Sequence, residues 1–136
     1  MRWLWAGSNA AIVINDSDVL VVDSHVSPAA AWVLLEELKA ITPKPVRYAA
    51  TTYFHYDHAH GNQIYGPDVE IIGHEFTRQM LRAGESRTGL AYDGYVKAIA
   101  ARPDSFRFQQ QVIANRVVIP TPPNATLSDR TVIDHL

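Results

Sequence analysis

The stretch Thr51-Thr52-Tyr53-Phe54-His55-Tyr56-Asp57-His58-Ala59-His60-Gly61-Asn62 decides how this chain is read. Three of the sequence's six histidines, together with a carboxylate, fall between His55 and His60. Imidazole nitrogen and carboxylate oxygen are ligands that zinc and iron accept, and a short loop lets the backbone set their spacing in advance. His55 and His58 stand three apart with Asp57 between them, so in a turn all three can converge on one small volume. A divalent ion there polarises a bound water, and Asp57 can both ligate the ion and hold that water's proton. Gly61 permits a sharp exit from the loop, and Asn62 can cap a following helix. The bland alternative is a polar surface turn with incidental histidines.

Working outward, Val46 to Thr52 reads as a strand that feeds the loop. Upstream, Ala10 to Ile14 and Val19 to Val22 are β-branched runs separated by Asn15-Asp16-Ser17-Asp18, the composition of a hairpin. After Asp23, Ser27 can cap a helix and Pro28 suits its first turn, where the missing N–H costs nothing. Ala31, Leu34, Leu35, Leu38 and Ile41 then recur at helical spacing until Thr42-Pro43-Lys44-Pro45 ends the helix. Downstream, Gly66-Pro67-Asp68 reads as a turn, Val69 to Ile72 as a strand, and a helix begins near His74-Glu75. The order β-β-α-β-loop-β-α implies an α/β sheet with at least one covered face. Leu90 to Ala101 and Ser105 to Asn115 carry apolar residues at helical spacing. Ile119 to Asn124, with three prolines, is expected to be extended and solvent-facing. Thr131-Val132-Ile133 reads as one more strand. His25, a lone loop histidine, is expected to be solvated.

Composition narrows the classes. At 136 residues and 47% hydrophobic, residues 1–136 are expected to form a single domain with a sizeable core. A net charge of -2 and twelve scattered Lys and Arg residues give no field for phosphate backbones, so no nucleic-acid partner is expected. The sequence has no cysteine, which excludes thiolate ligands. Met1-Arg2-Trp3-Leu4-Trp5 starts like a leader, but Gly7-Ser8-Asn9 interrupts the apolar run, and no stretch reaches the roughly 18 apolar residues of a membrane span. The expectation is a soluble, cytoplasmic protein with no membrane partner.

The succession strand, Asp23, helix, strand and Thr-Thr-Tyr-Phe-His-Tyr-Asp-His-Ala-His-Gly-Asn resembles the first half of the metallo-β-lactamase superfamily, well over residues 8 to 83 and faintly over 117 to 136. The family's loop is His-x-His-x-Asp-His. His55, Asp57 and His58 match its second histidine, aspartate and third histidine, while Tyr53 stands at the first. Asp23, in Val-Val-Asp-Ser, matches the family's early aspartate, which buttresses the metal loop from behind the ligands. The resemblance implies the N-terminal half of an αββα sandwich, a mixed sheet with helices on one face, and a single domain that is incomplete.

The same resemblance implies a metal-dependent hydrolase, in which a metal-bound hydroxide attacks an ester, thioester, lactone, β-lactam or phosphoester of a small molecule. The implied cofactor is zinc, one or two ions in the family, with iron or manganese as substitutes. In the family's scheme the first metal here keeps only His55, and the second keeps Asp57 and His58. One weakly bound ion is therefore expected. His60 is read as an auxiliary residue behind the ligands, at a position where the family usually has glycine. Some branches carry Asn or Gln at the first position and remain enzymes. A phenol with a pKa of about 10 is a poor ligand at neutral pH, so Tyr53 is expected to join Asp57 in catalysis by hydrogen-bonding the developing oxyanion. The family's later ligands are expected beyond Leu136. The alternative is a catalytically silent half-domain that acts as a homodimer or with a complementary half, because half a sandwich exposes an apolar face and an unpaired edge.

Overall fold

The two β-branched runs form the hairpin that the sequence suggests. β1 (Ala11–Ile14) and β2 (Val19–Val22) pair antiparallel, closed by a hydrogen bond from the Asn15 N–H to the Asp18 carbonyl at 2.9 Å. The computed structural model describes residues 8–87, 93, 94, 97, 101 and 118–129. Within these, α1 (Pro28–Lys39) follows β2, with Ser27 Oγ accepting from the Ala30 N–H and Pro28 in the first turn. Its Leu38 packs on Val19 and Val21, with Ile12, Leu34, Leu35 and Val46 around them. Each such side chain contributes about 1.5–3 kcal/mol when fully buried. Ile41 does not join this face: the helix stops at Lys39, and the amides of Ala40, Ile41 and Thr42 turn back onto Glu37 and Leu38. Pro43 blocks further winding, and Ile41 is left 71% exposed.

β3 (Val46–Thr51) and β4 (Glu70–His74) extend the sheet in parallel, and α3 (Glu75–Ala83) leaves the end of β4. Val21, Ala49 and Ile71 share a register row, and Ala49, Val69 and Ile71 form a second apolar cluster with Tyr65 and Val46. With β5 (Ala125–Leu127) at its far edge, the sheet order is β1-β2-β3-β4-β5, mixed because only the first pair is antiparallel. The α/β class and mixed sheet thus stand as expected.

The fifth strand, β5 (Ala125–Leu127), was not legible in the sequence. The stretch before it is extended but not solvent-facing throughout, since Pro123 is buried against Gly73. Asn124 makes the pairing that the prolines cannot. Its side-chain oxygen accepts from the Ile71 N–H at 2.7 Å, its side-chain amide donates to the Val69 carbonyl, and its backbone N–H donates to the Ile71 carbonyl. The helix expected over Leu90 to Ala101 is described only at Asp93, Gly94 and Lys97, which are helical, and at Ala101. Ser105 to Asn115 and Thr131 to Ile133 lie outside the described residues. Among the described residues no helix is long and apolar enough to cross a membrane.

α2 (Tyr56–Ala59) and the 3-10 segment His60–Ile64 carry the histidine loop across the N-terminal end of α1. Gly61 is needed here for its lack of bulk, not for a turn. A Cβ at this position would lie 1.7 Å from the Ser24 carbonyl oxygen and 2.7 Å from the Ala31 Cβ. The Gly61 N–H also donates to the His25 carbonyl at 3.2 Å. Gly61→Ala is expected to destabilise the chain by about 3 kcal/mol, at the upper end of overpacking costs. Gly66→Ala, where a Cβ meets nothing within 4 Å, is expected to change stability by no more than about 0.5 kcal/mol. Urea unfolding of the two variants checks the contrast, and equal midpoints would contradict it.

Candidate functional site

The parallel strands β2, β3 and β4 deliver Asp23, the Thr52–His58 loop and the His74–Phe76 corner to one edge of the sheet. In open α/β sheets this carboxyl-end crevice is where ligands bind. Asp23 has a left-handed backbone, φ 60°, a conformation that aspartate tolerates better than most residues. Its carboxylate accepts from the Thr52 N–H at 2.8 Å and from the Thr52 hydroxyl at 2.7–2.9 Å. His58 Nδ1 lies 2.8 Å from Oδ2 of the same carboxylate, the oxygen nearer the Thr52 hydroxyl. A carboxylate only accepts, so Nδ1 carries a proton, and in the neutral ring Nε2 is then left with its lone pair. Nε2 lies 3.6 Å from Asp57 Oδ2.

The backbone of this pair is held from the loop after β2. The Ser24 N–H and hydroxyl both donate to the His58 carbonyl, at 2.8 and 3.1 Å, and the Ser8 hydroxyl donates to the Asp57 carbonyl. His55 ends the extended segment before α2, and its carbonyl accepts from the His58 and Ala59 N–H groups. Its ring packs edge-on against Tyr53 and Phe54, with centroids 4.4 and 4.7 Å away. Tyr53 is 42% exposed, and its ring also meets that of His58 at 6.0 Å.

His60 is fully buried, with Nε2 3.0 Å from Ser86 Oγ, and it ties the loop to the turn after α3. Asn62 caps no helix. It is buried and donates to Thr51 Oγ1 at 3.0 Å and to the Thr121 carbonyl at 3.2 Å, fastening the loop to β3 and the proline-rich stretch.

No protein-family model matches the chain, and no curated protein does. Solved structures do. The DIM-1 metallo-β-lactamase exposed to ceftazidime matches 95% of this chain and 44% of its own, at 15% identity and TM-score 0.59. The chain has the fold of half a metallo-β-lactamase sandwich. The Erythrobacter litoralis metallo-β-lactamase with β-mercaptoethanol in its active site matches 55% of this chain and 32% of its own (22% identity, TM-score 0.49). The mono-zinc form of FIM-1 from Pseudomonas aeruginosa matches 55% and 33% (21% identity, TM-score 0.49). The chain thus spans less than half the length of each of these structures.

Within this half-sandwich fold, Asp57 and His58 bring together donor types that suit a divalent ion. They offer one hard oxygen and, in the neutral ring, one imidazole nitrogen with a free lone pair, and a carboxylate behind an imidazole is an arrangement that fixes a metal-ligating ring. A catalytic zinc takes three protein ligands. Among the described residues no three His, Asp or Glu side chains converge to hold an ion, and His55 is packed among aromatic rings. The described residues thus bring two such donors, Asp57 and His58, side by side at this edge.

His25 was expected to be solvated, yet it is buried on a left-handed backbone with φ 67°. Burial lowers its pKa below the usual histidine value, opposed by a hydrogen bond with the Ser8 backbone and by the Asp23 charge. The unfolded chain, with a histidine pKa of about 6.5, therefore takes up this proton more readily than the folded one. The stability tied to neutral His25 is complete above about pH 6.5 and is lost as pH falls below it towards the lowered folded value. Urea midpoints at about pH 7.5 and pH 5.5 check this. His25→Asn, which accepts the left-handed backbone, is expected to flatten the pH slope, and an unchanged slope would contradict it.

Proposed function

We propose that this chain forms one wall of a metal-dependent hydrolase of the metallo-β-lactamase fold, with Asp57 and His58 as its share of the metal ligands. The observation that supports this most is the hydrogen bond between His58 Nδ1 and the buried Asp23 carboxylate, which presents Nε2 unprotonated beside Asp57. A bound zinc ion, or iron or manganese in its place, supplies Lewis-acid polarisation of the scissile carbonyl or phosphoryl group. Thr52 holds the Asp23 carboxylate in place through its N–H and hydroxyl, so that His58 keeps one ring orientation. Asp57 adds a carboxylate oxygen that can receive a proton from an attacking water. Tyr53, half-exposed next to His55, donates its hydroxyl to the oxyanion that develops on the substrate. His55 steadies the Tyr53 ring by edge-to-face contact and stands ready as a further donor.

The substrate class is a small molecule with an ester, thioester, lactone, β-lactam or phosphoester bond, and the remaining ligands come from a second half-sandwich. A two-donor wall holds metal more weakly than a complete site, since water must fill the vacant positions. The same donor count favours a second reading, a silent half-domain that acts by pairing with another copy or a complementary half. Calorimetric titration of the full chain with zinc separates the two. About one weak site per chain is expected, abolished by His58→Ala and Asp57→Asn and weakened about tenfold or more by Asp23→Asn. Tyr53→His is expected to tighten it. Absence of zinc binding, or binding that His58→Ala leaves unchanged, would sink the enzyme reading.

A further inference from the structure

The geometry points to a subsite for a neutral aromatic ring, built by Phe76, Phe54 and Tyr53 beside the Asp57–His58 pair. Five rings form a continuous chain along the carboxyl edge of the sheet. Phe76 meets Phe54 at 5.6 Å and 83°, Phe54 meets His55 at 4.7 Å and 82°, and Tyr53 meets His55 at 4.4 Å and His58 at 6.0 Å and 87°. Tyr53 also tilts against Phe54 at 4.7 Å. The chain starts at a half-exposed phenylalanine and ends at the imidazole beside Asp57.

Phe76 sits in the first turn of α3, where nothing in the pattern of that helix calls for an aromatic facing water, yet it is 49% exposed. Its backbone is pinned, because its N–H donates to His74 Nδ1 at 3.0 Å and His74 Nε2 lies 3.1 Å from the Ser128 carbonyl. Phe54 is fixed between Phe76 and His55. The platform is therefore formed before any ligand arrives, and binding need order little of it. Near-perpendicular ring pairs such as Phe76–Phe54 are a geometry that aromatic groups prefer, and the half-exposed Phe76 leaves ring surface for a further ring to pack in the same way. A saturated ring of similar size gains burial alone. At the His58 end of the ring chain the Asp57 carboxylate, 3.6 Å from the imidazole Nε2, repels an anionic substituent, which favours an uncharged aryl group.

This subsite deepens the hydrolase reading and rests on it only for what lies at the Asp57–His58 end, where the scissile bond of an aryl-bearing substrate would sit. The test uses the full chain, made metal-free with a chelator, and two uncharged amides: N-benzylacetamide and N-(cyclohexylmethyl)acetamide. In NMR titrations the benzyl amide is expected to bind about three- to tenfold tighter, with the Phe54 and Phe76 ring signals shifting. Phe76→Leu keeps apolar area without a ring and is expected to erase the preference, whereas Phe76→Trp is expected to keep it. Thermal unfolding followed by circular dichroism establishes that both variants are folded. Equal affinity for the two amides, no binding of either, or a preference that survives Phe76→Leu would each overturn the subsite. Zinc titrations of the same proteins separate the failures. A benzyl preference without zinc binding removes the hydrolase reading, and zinc binding without a benzyl preference removes the subsite.

Discussion

The arrangement at the sheet edge depends on one buried carboxylate. Asp23 leaves β2 on a left-handed backbone and accepts from the Thr52 N–H, the Thr52 hydroxyl and His58 Nδ1. A buried charge without such partners is costly, so the three donors and the carboxylate require one another. Thr52 directly follows β3 and His58 lies in α2, so a single side chain ties the end of one strand to the loop that leaves the next.

Backbone contacts reinforce that tie. Ser24 grips the His58 carbonyl, Gly61 lies against the Ser24 carbonyl, and Ser8 reaches the Asp57 carbonyl. Two non-glycine residues, Asp23 and His25, adopt left-handed conformations within this small region. Such backbones persist when the surroundings over-determine them, each at a cost of about 1–3 kcal/mol. Sites of function commonly store strain in this way. Here it accompanies the only strand end whose side chain fixes an imidazole for the Asp57–His58 pair, among the described residues.

Much of the fold was legible because its signals are local. Hydrophobic periodicity placed α1, β-branched runs placed β1 and β2, and the Ser27-Pro28 start of α1 follows from capping chemistry. β5 was missed because its pairing is prepared by the Asn124 side chain after a run of prolines, and no propensity reveals a side-chain amide standing in for a backbone ladder. Ile41 kept the helical period but lay beyond the point where Pro43 stops the winding. At the site, residue types marked His55, Asp57 and His58 and the family resemblance marked Asp23, while the burial of His25 and the bond between His60 and Ser86 depend on contacts distant in sequence. The aromatic chain was hidden for the same reason. Phe54 and Phe76 are ordinary in the sequence, Tyr53 stands out only by its place in the ligand run, and only the parallel register of β3 and β4 brings Phe76 to Phe54.

The role of Asp23 is tested most directly by the tautomer of neutral His58. Long-range proton–nitrogen NMR correlations of the histidine rings, recorded on the metal-free chain above the titration range of its histidines, report which ring nitrogen carries the proton. A proton on Nδ1, with Nε2 unprotonated, is the expected result, and Asp23→Asn should weaken that preference. A wild-type His58 protonated chiefly on Nε2 would contradict it, for the imidazole would then neither be held by Asp23 nor be ready to meet a metal beside Asp57.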